Sequence, residues 1–459
     1  MSKKVIILGG GPGGYVAAIR AAQLGAQVVV IEKNELGGTC LNRGCIPTKA
    51  LVAGAEGGKK LEYAEEFGIK IDSYSVNLAQ MMERKNKVVE KLVTGIHFLF
   101  KKNKVQLIKG TGKLVSPTQV EVAKADGTNE TIAGDAIIIA TGSEPAIITN
   151  LGYDGETVYT SNEALQLTEI PQRLLIIGGG VIGCEFACIF HELGTQVTIV
   201  DVMPTILPMQ DQDTARQMQS LLKRRGIEIK TKVKVQEVRK TAGQVAAVLE
   251  SGEELVADRM LISIGRSLNS QGIGLEEAGI ELGQRGEVVV NERLQTNIPH
   301  IYAIGDVTNK IQLAHVASVQ GLVAVDNIMG KERLINYDVV PSCVYTLPEV
   351  AGVGITTQAA KEQGLEIASA KFPLLANGKA LAMGEAEGFV KLIADPKTGK
   401  ILGVHIVGPH ATDLIAEAAL AMENGITVEQ LAKTIHAHPT LAEALMEAAE
   451  AIHGKAIHI

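Results

Sequence analysis

One short pattern occurs twice in this sequence, and it constrains the fold more than any other feature. Each copy has an apolar strand-like run, a Gly-x-Gly-x-x-Gly turn, a helical segment, a second apolar run and a closing acidic residue. In this order the glycines let the backbone approach a pyrophosphate, the helix N-terminus offers unpaired amides, and the acid accepts a hydrogen bond from a ribose hydroxyl. The full pattern therefore favours a dinucleotide site over a merely tight turn.

The two copies lie 169 residues apart and have the same internal spacing, with 23 residues from the first glycine to the acid in each. The glycines and closing acids are Gly9, Gly11, Gly14 and Glu32 in the first copy and Gly178, Gly180, Gly183 and Asp201 in the second. Two such sites indicate that the protein holds two dinucleotides at once, most economically one flavin and one nicotinamide dinucleotide.

Soon after the first copy, Cys40 and Cys45 stand five residues apart among glycines and cationic side chains. On an ideal helix their Cα atoms would be roughly 8 to 9 Å apart, which exceeds the about 7 Å that a disulfide can span. If they pair, the backbone must be distorted, and Gly44 makes that possible. Such a pair near a helix N-terminus favours redox activity, because thiolate is stabilised there and strain eases reduction. From the spacing alone, two buried thiols that never pair are an equally good interpretation.

The chemistry of each copy indicates which cofactor it takes. Asp201 would repel a 2′-phosphate, and residues 202–209 contain no arginine to accommodate one, so the second site should prefer NAD over NADP. The first copy leads directly to Cys40 and Cys45, and its cofactor should exchange electrons with a disulfide. FAD suits that task.

Composition excludes several classes of partner. The 459 residues carry a net charge of −7, with no basic block and no tryptophan, so we expect neither nucleic acid nor an anionic membrane surface as a partner. The N-terminal residues run straight into the strand-like segment 5–8, which leaves no room for a signal peptide, and apolar runs fall short of the about 18 residues that a membrane span needs. We expect a cytoplasmic protein, in which a disulfide would be catalytic rather than structural.

The length predicts about three domains. Apolar runs at 135–140 and 260–264 are where the chain leaves one nucleotide-binding domain and re-enters it. We therefore predict an α/β fold with two Rossmann-like dinucleotide-binding domains and a C-terminal α+β dimerisation domain. The predicted boundaries are 1–143 with 265–337 for a discontinuous FAD-binding domain, 144–264 for the NAD-binding domain and 338–459 for the C-terminal domain.

Two polar residues have both a functional and an ordinary interpretation. Asp306 follows an apolar run at 301–304 and could bind a sugar or ribityl hydroxyl, or could be an acid at a helix N-terminus. Thr440 and Glu443 have capping-box spacing before an apolar-periodic helix, which would explain Glu443 without any function. On these local grounds His438 is a packed loop histidine.

From residue 3 to about residue 452 the chain resembles the disulfide-linked pyridine nucleotide oxidoreductases. The resemblance rests on motifs in the family's order, at residues 9–15, 37–49, 140–143, 178–185, 303–306, 313–317, 345–349 and 436–443. Two departures are Leu268, where the family usually has proline, and Gln320, where it has glutamate.

The resemblance implies roles for individual residues. Cys40 would be the interchange thiol that attacks the substrate disulfide, and Cys45 would face the flavin in a charge-transfer complex. His438, oriented by Glu443, would be the general base and would act on the cysteines of the other subunit, which reverses the local interpretation. The remaining positions that match family contacts are the Lys49 and Glu185 pair beside the flavin, Asp306 on its ribityl chain, and Thr39, Thr141, Gly142, Gly265 and Ala314 around the cofactors.

The implied activity is oxidation of protein-bound dihydrolipoamide through a Cys40–Cys45 disulfide and FAD, with hydride passing to NAD. The implied partners are a second copy of the chain and the lipoyl-bearing proteins of 2-oxoacid dehydrogenase or glycine cleavage complexes. Glutathione, trypanothione and mercuric reductases are the alternatives within the family, and a low-turnover flavin-bearing sensor or scaffold is the alternative outside catalysis. Cys184 and Cys188 share a helix face and are expected to pack there rather than bind a metal, and Cys343 is a further thiol to which the sequence assigns no role.

Overall fold

The computed structural model describes residues 2–241 and 243–459. The chain forms two compact units, each assembled from separate segments. The first unit consists of Met1–Ala50, Ala79–Ala146 and Gly265–Asn336, and the second of Leu51–Leu78, Ile147–Ile264 and Tyr337–Ile459. The α/β class predicted from the sequence is confirmed. The division of the second unit into an NAD-binding and a C-terminal domain stays a prediction.

A parallel sheet forms the centre of the first unit. In spatial order its strands are Ile301–Ala303, Ala136–Ile139, Lys4–Leu8, Gln27–Glu32 and Gln106–Lys109. These strands are runs of valine, isoleucine and leucine because helices or further strands cover both faces of the sheet. The Gly-rich turn follows Lys4–Leu8 and therefore lies at the carboxyl edge of the sheet, where ligands bind in folds of this kind.

Smaller antiparallel sheets complete the first unit. One contains the strands Thr111–Ser116, Gln119–Ala123 and Asn129–Ala133, and another pairs Ser143–Pro145 with Arg266–Leu268. The helix Pro12–Gln23 packs closely on the helix Ala314–Ile328. A Cβ atom added at Gly321 would lie 2.7 Å from the Gly13 carbonyl oxygen, so glycine is needed at this crossing.

The second unit repeats the parallel arrangement around the second Gly-rich turn. In spatial order its parallel strands are Glu228–Thr231, Gln196–Asp201, Arg173–Ile177, Arg259–Ile262 and Val158–Tyr159. Between two of these parallel strands, Glu228–Thr231 and Arg259–Ile262, the chain forms a separate antiparallel sheet. Its strands are Val235–Thr241, Gln244–Leu249 and Glu254–Ala257. The second copy of the pattern therefore has the βαβ context that the sequence predicts.

An antiparallel sheet forms the C-terminal part of the second unit. Its strands in spatial order are Ser342–Val344, Glu349–Gly354, Ile401–Gly408, Phe389–Ala394 and Ala368–Pro373. Helices Ala411–Glu423 and Glu443–Ala451 bury their apolar faces against these strands. The α+β character predicted for this region is confirmed.

The remaining helices connect these sheets. They are Gly38–Arg43, Cys45–Glu62, Leu78–Lys102, Ser161–Ala164, Val181–Glu192, Gln212–Arg224, Thr357–Glu362, Gly378–Ala382 and Val428–Lys433, with short 3-10 turns at Ala64–Phe67, Thr149–Leu151, Gly305–Thr308 and Leu374–Ala376. In the part of the chain that the structure describes, no helix has the length and apolarity needed to span a bilayer.

Candidate active site

The first Gly-rich turn tolerates no side chain at its first and third glycines. Gly9 has φ +105°, and a Cβ atom there would lie 2.2 Å from the Ala140 carbonyl oxygen. A Cβ atom on Gly14 would lie 1.9 Å from the Gly9 carbonyl oxygen. Gly11, the N-cap of helix Pro12–Gln23, instead faces open space, with the nearest atom 3.9 Å from an added Cβ. This concave turn at a helix N-terminus fits the pyrophosphate of FAD.

Glu32 is fixed at the end of the second strand of this unit. Its side chain is buried, and its two carboxylate oxygens accept hydrogen bonds from the Gly10 N–H at 2.6 Å and the Asn34 N–H at 2.7 Å. The glycine turn and the acid are therefore one hydrogen-bonded structure, with the carboxylate where a ribose hydroxyl is expected.

The second turn has the same geometry. Gly178 has φ +106°, and a Cβ atom there would lie 2.4 Å from the Ser263 carbonyl oxygen. A Cβ atom on Gly183 would lie 2.0 Å from the Gly178 carbonyl oxygen, whereas one on Gly180 would meet no described atom within 4 Å. Gly180 is also the N-cap of helix Val181–Glu192. This turn fits a second dinucleotide.

Asp201 closes the second turn as Glu32 closes the first. Its oxygens accept hydrogen bonds from the Gly179 N–H at 2.5 Å and the Met203 N–H at 2.7 Å. The buried carboxylate keeps a negative charge beside the turn. A 2′-phosphate would meet that charge, which agrees with the predicted preference for NAD.

Gly44 separates the two cysteines into different helices. The helix Gly38–Arg43, which carries Thr39 and Cys40, ends at Gly44 with φ −147° and ψ −113°, and a new helix begins at Cys45. A Cβ atom on Gly44 would lie 3.0 Å from the Thr39 carbonyl oxygen. The regular helix that would hold the sulfurs apart is thus interrupted, and the Cys40 and Cys45 side chains are hydrogen bonded to each other.

The two thiols influence each other's ionisation. Hydrogen bonding with the Cys45 side chain raises the pKa of Cys40, and burial and the charge of Cys45 raise it further, whereas Lys49 and the Cys45 N–H act to lower it. Cys45 stands at the N-terminus of helix Cys45–Glu62, where the helix dipole stabilises a thiolate. Cys40 is therefore harder to ionise than an ordinary cysteine.

Asp306 belongs to a polar cluster that the sequence did not predict. It accepts a hydrogen bond from the Ser143 hydroxyl at 2.5 Å and lies 3.6 Å from the Arg266 Nε. Arg266 in turn donates to the Ser143 hydroxyl at 2.6 Å. Asp306 stands in the first turn of the 3-10 helix Gly305–Thr308, and the long helix begins only at Ala314, so the structure leaves both interpretations of Asp306 open. The strand before it also ends early, at Ala303, because the chain turns at Gly305 with φ +74°.

The two departures from the family pattern lie near this cluster. Gln320 is buried, and its side-chain oxygen accepts a hydrogen bond from the Gly305 N–H at 2.6 Å. A neutral acceptor serves that amide without a buried charge. Leu268 pairs with Ser143 in a short antiparallel ribbon that persists without the family's proline.

The motifs around residues 141 and 265 are hydrogen bonded to each other. Thr141 donates its hydroxyl to the Asn269 carbonyl at 2.7 Å, and the Asn269 N–H donates to the Gly142 carbonyl at 3.0 Å. Gly142 and Gly265 have positive φ angles of 69° and 131°. Ala314 is the first residue of the helix that packs on Pro12–Gln23.

His438 is oriented by Glu443, as the family resemblance implies. The His438 Nδ1 lies 2.9 Å from one carboxylate oxygen of Glu443, and the other oxygen accepts the Thr440 N–H at 2.8 Å. Burial acts to raise the pKa of Glu443, but these hydrogen bonds and the charges of His438 and His436 hold that pKa below its ordinary value. The carboxylate thus stays ionised beside the imidazole.

The capping box predicted at Thr440 and Glu443 forms only in part, since Glu443 accepts the Thr440 N–H but the Thr440 hydroxyl does not cap the helix. The helix begins at Glu443 after Ala442, whose methyl side chain cannot cap it. The Thr440 hydroxyl donates to the Ala437 carbonyl at 2.7 Å instead. Glu443 therefore has two contacts, with one oxygen on the Thr440 N–H as in a capping box and the other on His438.

Glu185 lies in the second unit and Lys49 in the first, so their predicted pairing stays a prediction. The Glu185 side chain is buried and accepts the Tyr345 N–H at 2.9 Å.

The other cysteines pack in the second unit. Cys184 and Cys188 are buried, and the Cys184 thiol donates to the Gly179 carbonyl at 3.3 Å. Burial raises the pKa of Cys188 to about 12, which makes it inert as a nucleophile. Cys343 is partly buried against the C-terminal core. Within the ranges that the structure describes, no group of three potential ligands could hold a metal ion.

Comparison with known proteins gives matches along nearly the whole chain. A family model described as pyridine nucleotide-disulphide oxidoreductase matches residues 3–321, and the dimerisation domain of the same family matches residues 340–449. The dihydrolipoyl dehydrogenase of Bacillus subtilis is 46% identical and the alignment covers 99% of this chain and 98% of that protein. The enzyme of the same name from Thermus scotoductus is also 46% identical, with the same coverage.

A solved structure has the same fold. The crystal structure of LpdA from Mycobacterium tuberculosis superposes with a TM-score of 0.93 at 31% sequence identity, covering 98% of this chain and 99% of that one.

Proposed function

The chain belongs to the pyridine nucleotide-disulphide oxidoreductases, and from that premise we propose that it oxidises the dihydrolipoyl group of a carrier protein and reduces NAD. The observation that carries this proposal is the helix break at Gly44. It brings the thiols of Cys40 and Cys45 together directly after the first dinucleotide unit. A dithiol at that position can pass an electron pair to a flavin.

The cysteines exchange disulfides with the substrate. A substrate thiolate attacks Cys40 of the oxidised pair, so the Cys40–Cys45 bond breaks and Cys45 leaves as a thiolate at its helix N-terminus. The second substrate thiolate then attacks the substrate sulfur of the mixed disulfide, which closes the lipoyl ring and frees Cys40. FAD held at the first Gly-rich turn would supply the acceptor for the electron pair of the dithiol, and NAD held at the second would supply the acceptor for hydride.

His438 handles the protons of this exchange. Its Nδ1 is held by Glu443 at 2.9 Å, so Nε2 is the nitrogen that takes the proton of a substrate thiol. The ionised Glu443 stabilises the imidazolium that results. A bound histidine–carboxylate pair keeps the base oriented through each turnover.

A second copy of the chain completes the site. The C-terminal segment matches a dimerisation domain, and the His438 side chain is 80% exposed beside Ile435, which is 96% exposed. An exposed large apolar residue next to a catalytic base favours burial against a partner. The Cys40 of one subunit would then be served by His438 of the partner subunit.

Mixing two inactive variants tests this composite site. Cys45→Ser and His438→Gln homodimers are each expected to be inactive. Random reassociation makes half of the dimers mixed, and each mixed dimer contains one complete site, so activity should return to roughly a quarter of wild type. No recovery, with mixed dimers detected by mass spectrometry, would contradict a site shared between subunits.

The steady-state assay tests the function itself. Purified FAD-loaded protein is expected to make NADH from dihydrolipoamide and NAD, and to use NADP poorly because of Asp201. A yellow protein that makes no NADH, or one that reduces glutathione disulfide with NADPH instead, would overturn the proposal. Cys45→Ser separates an enzyme from a low-turnover scaffold, since only an enzyme loses turnover.

The finer assignments depend on the same proposal. We propose domains at 1–143 with 265–337, 144–264 and 338–459, a cytoplasmic location, and lipoyl-bearing proteins of a 2-oxoacid dehydrogenase or glycine cleavage complex as partners. Co-purification from cell extract, read by mass spectrometry, identifies the carrier.

A further inference from the structure

The segment after Asp201 forms part of the second dinucleotide site. The Leu207 N–H donates to the Gly179 carbonyl at 2.7 Å, and a Cβ atom on Gly179 would lie 2.8 Å from the Ile206 side chain. Residues 202–210 therefore lie against the Gly-rich turn and run from the closing acid to Asp211, the N-cap of helix Gln212–Arg224. The position of this segment depends on the groups that hold Asp211.

A buried lysine from the C-terminal sheet holds Asp211. Lys391, on strand Phe389–Ala394, is 2% exposed, and Asp211 is 0% exposed. The Lys391 ammonium donates to Asp211 at 2.8 Å, to Asp213 at 2.7 Å and to the Thr357 hydroxyl at 2.6 Å. The other Asp211 oxygen accepts the Thr357 N–H at 2.9 Å. A buried ammonium and carboxylate are tolerable because both are paired and hydrogen bonded.

Further side chains hold the same stretch of backbone. Gln358 donates to the Gln210 carbonyl at 2.8 Å and accepts the Gln212 N–H at 3.1 Å, so it brackets Asp211 on both sides. Two other titratable groups face the cluster. Lys371 lies 2.8 Å from Asp213, and burial lowers the pKa of His405, which keeps that imidazole neutral.

We propose that Lys391 is a positioning residue for the NAD site. It acts through Asp211 to fix residues 202–210 against Gly179, so that Asp201 and the turn keep the spacing that the dinucleotide needs. This inference rests on the proposed function. It adds that a residue of the C-terminal domain, far from the chemistry in sequence, sets NAD affinity.

A purely stabilising ion pair would behave differently. Replacing a buried ion pair by apolar groups is often neutral for stability, whereas removing one partner leaves an uncompensated charge. A loss of stability alone would leave the binding of NAD to the folded enzyme unchanged. A positioning role instead changes the Michaelis constant for NAD while the reaction of the cysteines with dihydrolipoamide is untouched.

The main test uses Lys391→Met in the FAD-loaded homodimer. We expect the KM for NAD to rise about tenfold, in the range of measured couplings between neighbouring sites. The KM for dihydrolipoamide and the rate of anaerobic flavin reduction by dihydrolipoamide should stay within about twofold of wild type. A larger change would be expected if Lys391 were also coupled to the cysteine site. Lys397→Met, which removes a lysine that is 83% exposed, is the matched control and should change neither constant.

Milder variants keep the test valid if Lys391→Met does not fold. Thr357→Val removes an acceptor of Lys391 and retains the backbone N–H that binds Asp211, so we expect the dissociation constant of NADH to rise about threefold by calorimetry. Lys391→Arg keeps the positive charge, so it should raise the dissociation constant of NADH less than Lys391→Met does.

Direct NADH binding also separates this inference from the proposed function. If wild-type enzyme fails to oxidise dihydrolipoamide, the function is wrong, and calorimetry of NADH still tests Lys391. Unchanged NADH affinity in folded Thr357→Val and Lys391→Met proteins would overturn the positioning role. Equal slowing of flavin reduction and of NAD binding would overturn it as well.

Discussion

The two dinucleotide units have the same Gly-rich turn and the same closing acid. In both, the segment that follows the acid turns back and forms a hydrogen bond to the Gly-rich turn. In the first unit the Gly37 N–H donates to the Gly10 carbonyl at 2.8 Å, and Leu36 packs under Gly10. In the second, the Leu207 N–H donates to the Gly179 carbonyl at 2.7 Å. The same turn, acid and returning segment therefore occur at both of the proposed cofactor sites.

Beyond this segment the two units diverge. In the first unit Gly38 contacts Gly11, where an added Cβ would lie 2.7 Å from the Gly11 Cα, and the next helix carries Cys40. In the second unit the chain reaches Asp211, which the buried Lys391 holds. The first copy thus continues into the proposed redox cysteines, and the second continues to a buried ion pair.

Removing one thiol should have the largest effect. Cys45→Ser is expected to lower turnover with dihydrolipoamide at least about 10³-fold, because a nucleophile or leaving group is lost. Bound FAD and NADH affinity should be retained. Cys343→Ala, which removes a thiol outside both Gly-rich turns, is the control and should keep full activity. Substantial turnover in Cys45→Ser would contradict the different roles of the two units.

Methyl groups on the open glycines should separate the two sites. Gly11→Ala is expected to weaken FAD binding about 10²-fold, and Gly180→Ala to weaken NADH binding by the same factor, because displacement of a pyrophosphate by about 1 Å has a cost of this size. Both glycines face open space, so the folded state should tolerate either methyl group. Calorimetry with each cofactor measures both effects. Equal loss of both cofactors in one variant would contradict the assignment.

Acid should weaken the anchor of the second unit. Burial acts to raise the pKa of Asp211, but Lys391, the Thr357 N–H and nearby charges hold that pKa at about 2. A depressed pKa stabilises the folded state above the unfolded pKa of about 3.9, and this contribution is lost as pH falls towards 2. It amounts to about 2 kcal/mol, a factor of about 30 in the unfolding constant.

Denaturant unfolding at pH 5 and pH 2.5 measures this contribution. Wild type should lose more stability between these two pH values than Asp211→Asn, because the asparagine has no charge to lose. Equal losses in both proteins would show that the ion pair does not stabilise the fold.

The smallest effect is expected at Asp201. Asp201→Asn removes the charge and keeps one acceptor for the backbone amides at 2.5 and 2.7 Å. We expect the preference for NAD over NADP to fall about tenfold, since repulsion of the 2′-phosphate is lost. The ratio of kcat/KM values for the two cofactors measures it, and the matching Glu32→Gln change should leave that ratio unaltered.

Short sequence patterns predicted those parts of the fold that depend on the backbone angles and contacts of neighbouring residues. Both Gly-rich turns, their helices and their acids stand where spacing placed them, because φ angles and close contacts at Gly9 and Gly178 admit no other residue. The interruption at Gly44 was predicted only on the condition that the cysteines pair, since a disulfide at this spacing is incompatible with a regular helix.

Contacts between distant residues were out of reach. Lys391 and Asp211 are 180 residues apart in the sequence, and no local pattern marks either as buried. The cluster of Ser143, Arg266 and Asp306 is assembled from separate segments in the same way. The prediction that the Thr440 hydroxyl caps the helix was wrong, because this hydroxyl donates to the Ala437 carbonyl instead.

Anaerobic mixing in two steps tests the division of roles most directly. One equivalent of dihydrolipoamide should pass one electron pair to each subunit, which leaves the dithiol reduced with Cys45 in charge transfer to the flavin, and NAD added afterwards should take that pair and yield one NADH per flavin. Gly180→Ala should complete the first step at the wild-type rate and be slowed only in the second. A flavin spectrum that dihydrolipoamide leaves unchanged until NAD is present, or a first step slowed by Gly180→Ala, would contradict the account.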